Sequence, residues 1–352
     1  MRQVMKIVIA ATTAALTLTA CASGGATPAA SGSASSAASS SAPAIKVGMA
    51  YDVGGRGDQS FNDSAAAGLD KAKGEFGVEA KESSATAGEA ESAREERLNQ
   101  LIDAGYNNIV AVGFAYASSV GKVAKENPDV KFAIVDDASE ASTGANIMNI
   151  TFAENEGSFL VGAAAGLKTQ SKHVGFVGGV ETDLIKKFEA GFKAGVKAVD
   201  PSIKVDSKYL TQPPDFSGFN SVDKGKAAAE GMYQNGADIV YHAAGGSGGG
   251  VFTAAKAAKK WAIGVDSDQA KTAAADVRDV IITSMLKRVD VGVYTFIKSI
   301  KDGSFKAGNT VFDLKVDGVG YATTGGKIDD IKDKLEAYKA DIISGKITVP
   351  SK

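Results

Sequence analysis

A single cysteine in 352 residues rules out a disulfide framework and any metal centre built from several thiolates. Only two histidines are present, His173 and His242, both inside apolar strand-like runs where a packed imidazole is the plain reading. Neither H-E-x-x-H, a zinc-ligand spacing, nor the phosphate loop G-x-x-x-x-G-K-[ST] occurs, so the sequence points to no metal, no cofactor and no catalytic centre. A charge of one sign is missing too. The 39 basic residues face 41 acidic ones, for a formal net charge of −2. Such a balance gives nucleic acid no basic surface to hold.

What is present begins at the N-terminus. Arg2 and Lys6 precede the apolar run "IVIAATTAALTLTA", which is too short to span a bilayer as a helix. The run ends in "LTAC", which resembles the lipobox of bacterial lipoproteins. Residues 1–20 are therefore expected to be a signal peptide, and Cys21 the lipidated first residue of the mature chain. Without Arg2 and Lys6 the formal charge moves from −2 to −4. Residues 21–44 are almost all Ser, Ala, Gly, Thr and Pro, too poor in apolar bulk to pack, and read as a flexible tether. Anchor, tether and body together describe a protein held at the extracytoplasmic face of the cell membrane.

Beyond the tether, short apolar runs alternate with helix-compatible stretches. The runs "KVGMAY", "NNIVAVG", "VKFAIVD", "HVGFVG", "ADIVYHAA", "WAIGVD" and "DVIITSML" predict strands, and the alternation predicts parallel sheets flanked by helices. A weak internal repeat runs through them. Phe61 lies 14 residues after Val47, and Phe188 lies 14 after Val174; an Ala-Gly pair follows each ring at the same distance. Asp136 and Asp266 each end a matching strand. Two similar α/β lobes follow from this, and ligands of such sheets bind beyond the carboxyl ends of the strands. Two rings and two carboxylates would then meet in one cleft.

The segments "DVGGRGDQSFNDSAAAG", "KFAIVDD", "IKKFEAGFKAGV", "IVYHAAGGSGGGVFTAAK", "WAIGVDSDQ" and "ITSMLKRVDVGVY" resemble the basic membrane lipoprotein (BMP) family over roughly residues 45–335. The resemblance implies a substrate-binding lipoprotein of an ABC importer, with a purine nucleoside as ligand and a membrane permease as partner. It also implies the type I periplasmic-binding-protein fold, two Rossmann-like lobes joined by three crossovers. Lobe 1 would comprise residues 45–151 plus 268–307, and lobe 2 residues 152–267 plus 308–352. Phe61 and Phe188 would sandwich the base, with Asn62 and Asp136 on its edge. Asp266, Lys287, the backbone at Gly246 and Asp52 would lie at the ribose or near it.

The residues suit that chemistry. Each base–aromatic stack is worth about 1–3 kcal/mol. Taken singly, either phenylalanine reads as core; their symmetric placement and polar neighbours favour a site. A carboxylate such as Asp266 accepts from paired ribose hydroxyls, and a Lys287–Asp266 pair would fix both side chains. Asn62 can donate and accept at once, as N7 and O6 of a purine require. An ionised Asp136 favours a base with N–H at N1, guanine or hypoxanthine over adenine. The glycine run "GGSGGGVF" follows a strand but misses G-x-G-x-x-G, and Asp52 and Asp266 would repel a phosphate. The same fold with another ring ligand, such as a flavin, or a sensor signalling to a membrane receptor, are the alternatives.

Overall fold

The computed structural model describes residues 44–352. The expected signal peptide, Cys21 and all but the last residue of the tether lie outside the described residues. In chain order the strands are β1 Lys46–Tyr51, β2 Glu79–Ser84, β3 Asn108–Val112, β4 Lys131–Val135, β5 Ile147–Phe152 and β6 His173–Val180. They continue as β7 Lys204–Thr211, β8 Ile239–Ala243, β9 Trp261–Asp266, β10 Ile281–Lys287, β11 Gly308–Phe312 and β12 Val319–Tyr321. All seven predicted runs are strands.

The described strands form two six-stranded sheets, ordered β11-β5-β4-β3-β1-β2 and β12-β10-β9-β8-β6-β7. Pairing is parallel throughout except between β10 and β12. Read from the second strand of each order, the two sheets share one connectivity, so the repeat seen in the sequence is a repeat of topology. Helices cover both faces of the central strands, and β3 and β8 are buried along their whole length. Five strands escaped the sequence reading. β2 and β7 are sheet edges with mostly exposed or half-buried residues, so no apolar run marks them. β11 is exposed along four of its five residues and β12 has three residues in all. β5 is buried, but Asn149 and Thr151 interrupt its apolar pattern.

Sheet membership also places the crossovers. The first falls between Phe152 and helix Glu154–Lys168, close to the expected position. The second does not fall near Asp268: β10 pairs in register with β9 and stays in the second sheet. The chain returns only after Lys287, through helix Val289–Lys301, which lies along helix Phe61–Phe76 of the first lobe. A Cβ at Gly68 would run into the Asp290 carbonyl, which is why these two helices can approach so closely. The third crossover follows β11, which belongs to the first sheet, rather than preceding it near Ala307. No helix among the described residues is long and apolar enough to cross a membrane.

Candidate ligand-binding site

The carboxyl ends of both sheets face one cleft. Its lining includes seven of the eight predicted ligand residues: Asp52, Phe61, Asn62, Asp136, Phe188, Asp266 and Lys287. Gly246 is not among them. The glycine facing the cleft is Gly245, whose positive φ of 54° turns the chain just after β8, leaving Gly246 one residue outside. Asp52 and Phe114 follow β1 and β3, and Gly245 follows β8. The site therefore straddles the point where strand order reverses in each lobe, as the sheet topology requires.

Between β1 and helix Phe61–Phe76 runs a polar loop built around Asp58. The Asp58 carboxylate accepts the backbone N–H groups of Ser60 (2.9 Å), Asn62 (2.8 Å) and Asp63 (3.1 Å). It thereby satisfies donors that a helix start leaves open. Asn62 is locked into the same loop. Its Oδ1 accepts the Asp52 N–H at 3.1 Å, while Nδ2 donates to Asp58 (3.0 Å) and to the Val53 carbonyl (3.4 Å). Both donors are engaged, so the expected simultaneous donation and acceptance at a base edge is not available here. One lone pair of Oδ1 remains. In the second lobe, Thr182 Oγ1 accepts the Ile185 N–H at 3.3 Å and caps helix Asp183–Val199, which carries Phe188.

Asp136 and Asp266 both end strands in the left-handed region, with φ of 71° and 63°. Few residues other than glycine tolerate this, Asp among them. Each then reaches across the cleft. Lys287 Nζ donates to Asp136 Oδ2 at 2.6 Å, and Ser60 Oγ donates to Asp266 Oδ2 at 2.6 Å. The expected Lys287–Asp266 pair is thus replaced by Lys287–Asp136, supplemented by Glu154 at 3.2 Å. The Lys287 ammonium also lies 5.2 Å from the ring centre of Phe61, 5.1 Å from that of Phe152 and 5.4 Å from that of Phe188. Rings from both lobes therefore share one cation.

Further bonds tie the lobes at this edge: Gln269 Nε2 donates to the Gln59 carbonyl (3.0 Å) and Ser267 Oγ to the Ser60 carbonyl (3.0 Å). An aromatic contact also joins the lobes, with Phe114 of the first lobe 5.8 Å from Phe216 and 6.4 Å from Phe219 of the second.

Burial sets the charge state. It pushes the carboxyl of Asp266 up to about 7, opposed by Lys287 and the Ser60 hydroxyl. It takes Asp136 to about 6, with Lys287 opposing and Glu154 reinforcing. Asp52 also rises to about 6, opposed by the Val53 N–H and Arg94. Burial alone would depress Lys287, but the carboxylates of Asp136, Glu154 and Asp266 outweigh it and hold the ammonium charged. The site is lined with rings and richer in acceptors than in donors.

Both histidines are packed side chains. His173 Nε2 bonds Asp206 at 2.8 Å. His242 Nε2 bonds Gln269 Oε1 at 3.0 Å, and burial lowers its basicity to about 4. The run Gly245–Gly249 satisfies G-x-S-x-G, a pattern of nucleophilic serines. Ser247, however, is buried and donates to the Gly218 carbonyl at 2.8 Å while accepting the Ser221 N–H at 2.7 Å. Its hydroxyl is structural. The sequence reading passed over Phe114 and Phe219 in the lining, Asp58 as a loop organiser, and Glu154. Phe114 follows a predicted strand at the same sheet edge as Asp52, a signal that could have found it.

The family described as "Bmp: ABC transporter substrate-binding protein PnrA-like" matches residues 45–352. The chain is 39% identical over 327 residues to the CD4+ T-cell-stimulating antigen of Listeria monocytogenes, covering 87% of this chain and 88% of that protein. It is 37% identical over 324 residues to the ABC transporter nucleoside-binding protein BmpA of Lactococcus lactis, covering 88% and 90% respectively. A solute-binding protein of an ABC transporter system from Aeropyrum pernix superposes with a TM-score of 0.76 at 29% identity, covering 88% of this chain and 94% of the other. The two lobes are of the type I periplasmic-binding-protein kind.

Proposed function

The chain belongs to the Bmp family of PnrA-like ABC transporter substrate-binding proteins, and on that premise we propose that it captures a purine nucleoside outside the cytoplasm and presents it to a membrane permease. The observation that carries this reading is the pairing of Phe61 and Phe188 from opposite lobes around one cleft bordered by buried carboxylates. A flat base fits between rings, and a ribose offers hydroxyl donors to acids. A phosphate would meet Asp52, Asp136 and Asp266, so nucleosides are favoured over nucleotides.

In this reading Asp266 and Asp52 take the ribose hydroxyls, and the backbone near Gly245 and Gly246 approaches the sugar. Asp136 keeps one buried oxygen, Oδ1, without a hydrogen-bond partner, which suits an N1–H of guanine or hypoxanthine. Lys287 contributes by fixing Asp136 and lying beside the rings. Asn62 contributes one acceptor and holds the loop. Contacts to both lobes drive closure, as in a hinge. Lipidation at Cys21 would keep the body near its permease, and the protein binds its ligand without turning it over.

Mass spectrometry of small molecules released from the purified, denatured protein tests the proposal. A guanine or hypoxanthine nucleoside recovered intact is the expected result. A flavin, or a free base without its ribose, contradicts it. Nucleoside binding with no loss of uptake in a permease-deleted strain would favour a sensor over an importer.

A further inference from the structure

Resting on the reading that the cleft takes a ligand with N–H or O–H donors, we propose that Glu154 is a positioning residue for it. Glu154 holds the Lys287 ammonium on the second lobe and so leaves Asp136, on the first, available to the ligand.

The geometry sets this role. Glu154 opens helix Glu154–Lys168 directly after the first crossover and is 1% exposed. It is absent from the cleft lining, so it acts through another side chain. That side chain is Lys287, whose Nζ lies 3.2 Å from Glu154 Oε1. Glu154 and Lys287 both belong to the second lobe, whereas Asp136 belongs to the first. If the lobes part, Lys287 loses Asp136 and keeps Glu154. An ammonium left alone beside Phe188 would be costly, and an intralobe carboxylate removes that cost.

In the closed form two carboxylates share one ammonium. Asp136 is then not fully neutralised, and its buried Oδ1 stays an unspent acceptor. Without Glu154, Lys287 and Asp136 would form a neutral cross-lobe pair against which a ligand must compete. The charged groups facing Asp136 are Lys287 from β10, Glu154 from its helix, Lys187 from helix Asp183–Val199, Asp266 from β9 and Asp52 just after β1. Lys187 Nζ is half-buried, 3.5 Å from Glu154 Oε2.

Calorimetric titration of the mature protein with inosine between pH 5 and 8 tests this, using wild type, E154Q, E154D and K187M. E154Q is expected to bind fivefold or more weakly at pH 7.5. Its acid limb should move to lower pH by half a unit or more, because a like charge beside Asp136 is gone. E154D should restore most of both. K187M, a change at a half-buried surface position, should move the limb to higher pH. An E154Q profile that superimposes on wild type overturns the proposal; if E154Q does not fold, an unmoved K187M limb overturns it. Should wild type bind no nucleoside, the proposed ligand fails but this inference is still decided. Carboxyl-carbon NMR of the ligand-free protein must then show the Asp136 midpoint falling in E154Q, or rising in K187M, and an unmoved midpoint overturns it.

Discussion

Asp136 and Asp266 hold equivalent places in the two lobes. Each ends a strand, each adopts a left-handed backbone, and each reaches across the cleft to the opposite lobe. Their partners differ: an ammonium for Asp136, a hydroxyl for Asp266. Burial raises both carboxyls, but only Asp136 has a cation within hydrogen-bond reach, and its midpoint lies near 6 against about 7 for Asp266. A duplicated backbone thus delivers two raised carboxyls with different partners. The stacking rings show the same divergence. Phe61 is the first residue of its helix and partly exposed, whereas Phe188 lies in the second turn of its helix and is 2% exposed. Equal spacing from the strand places both rings at the cleft, although a long polar loop precedes one and a longer strand with a short cap the other.

Removing the cation should break the contrast most severely. Lys287→Met leaves Asp136 and Glu154 buried with only the more distant, half-buried Lys187 as counter-charge; breaking a buried ion pair in this way typically costs about 3–5 kcal/mol. Urea unfolding at pH 7.5 should show a loss of that order. The loss should shrink at pH 5, where Asp136 takes up a proton.

The rings come next. Phe188→Ala should weaken nucleoside binding at least tenfold in a protein that still folds, with a smaller loss for the half-exposed Phe61→Ala. Calorimetry reads both, and unchanged affinity in Phe188→Ala would remove that ring from the site.

The smallest effect concerns stability against pH. The carboxyls of Asp52, Asp136 and Asp266 are raised above their ordinary 3.8 in the folded chain. Raised carboxyls favour the folded state when protonated; that contribution is complete below 3.8 and is lost as pH rises through about 6 to 7. The ligand-free protein should therefore gain several degrees in melting temperature from these groups between pH 8 and pH 5. Asp266→Asn should flatten the part of the curve near pH 7, and Asp136→Asn the part near pH 6. Equal effects of the two variants across the range would erase the distinction between the acids.

Much of this was legible in the residues. The period of apolar runs marks every central strand but β5, because a strand buried on both faces must be apolar almost throughout. The matched spacing of Phe61 with Phe188, and of Asp136 with Asp266, reports the duplication and with it the cleft. What stayed hidden depends on distances across the chain. Nothing local tells Lys287 to choose Asp136, 151 positions away, over Asp266. Nor does sequence reveal that β10 remains with the second sheet, since its apolar run would suit either. Glu154 looks like an ordinary acid at a helix start, and only its burial beside Lys287 sets it apart.

The most direct measurement is calorimetric titration of ligand-stripped protein with guanosine, inosine and adenosine at pH 7.5. The account predicts tight, saturable binding of guanosine and inosine, and adenosine weaker by at least tenfold because it offers no N1–H to Asp136. Adenosine bound as tightly or more tightly would contradict the role of Asp136, and binding of none of the three would contradict the nucleoside site itself.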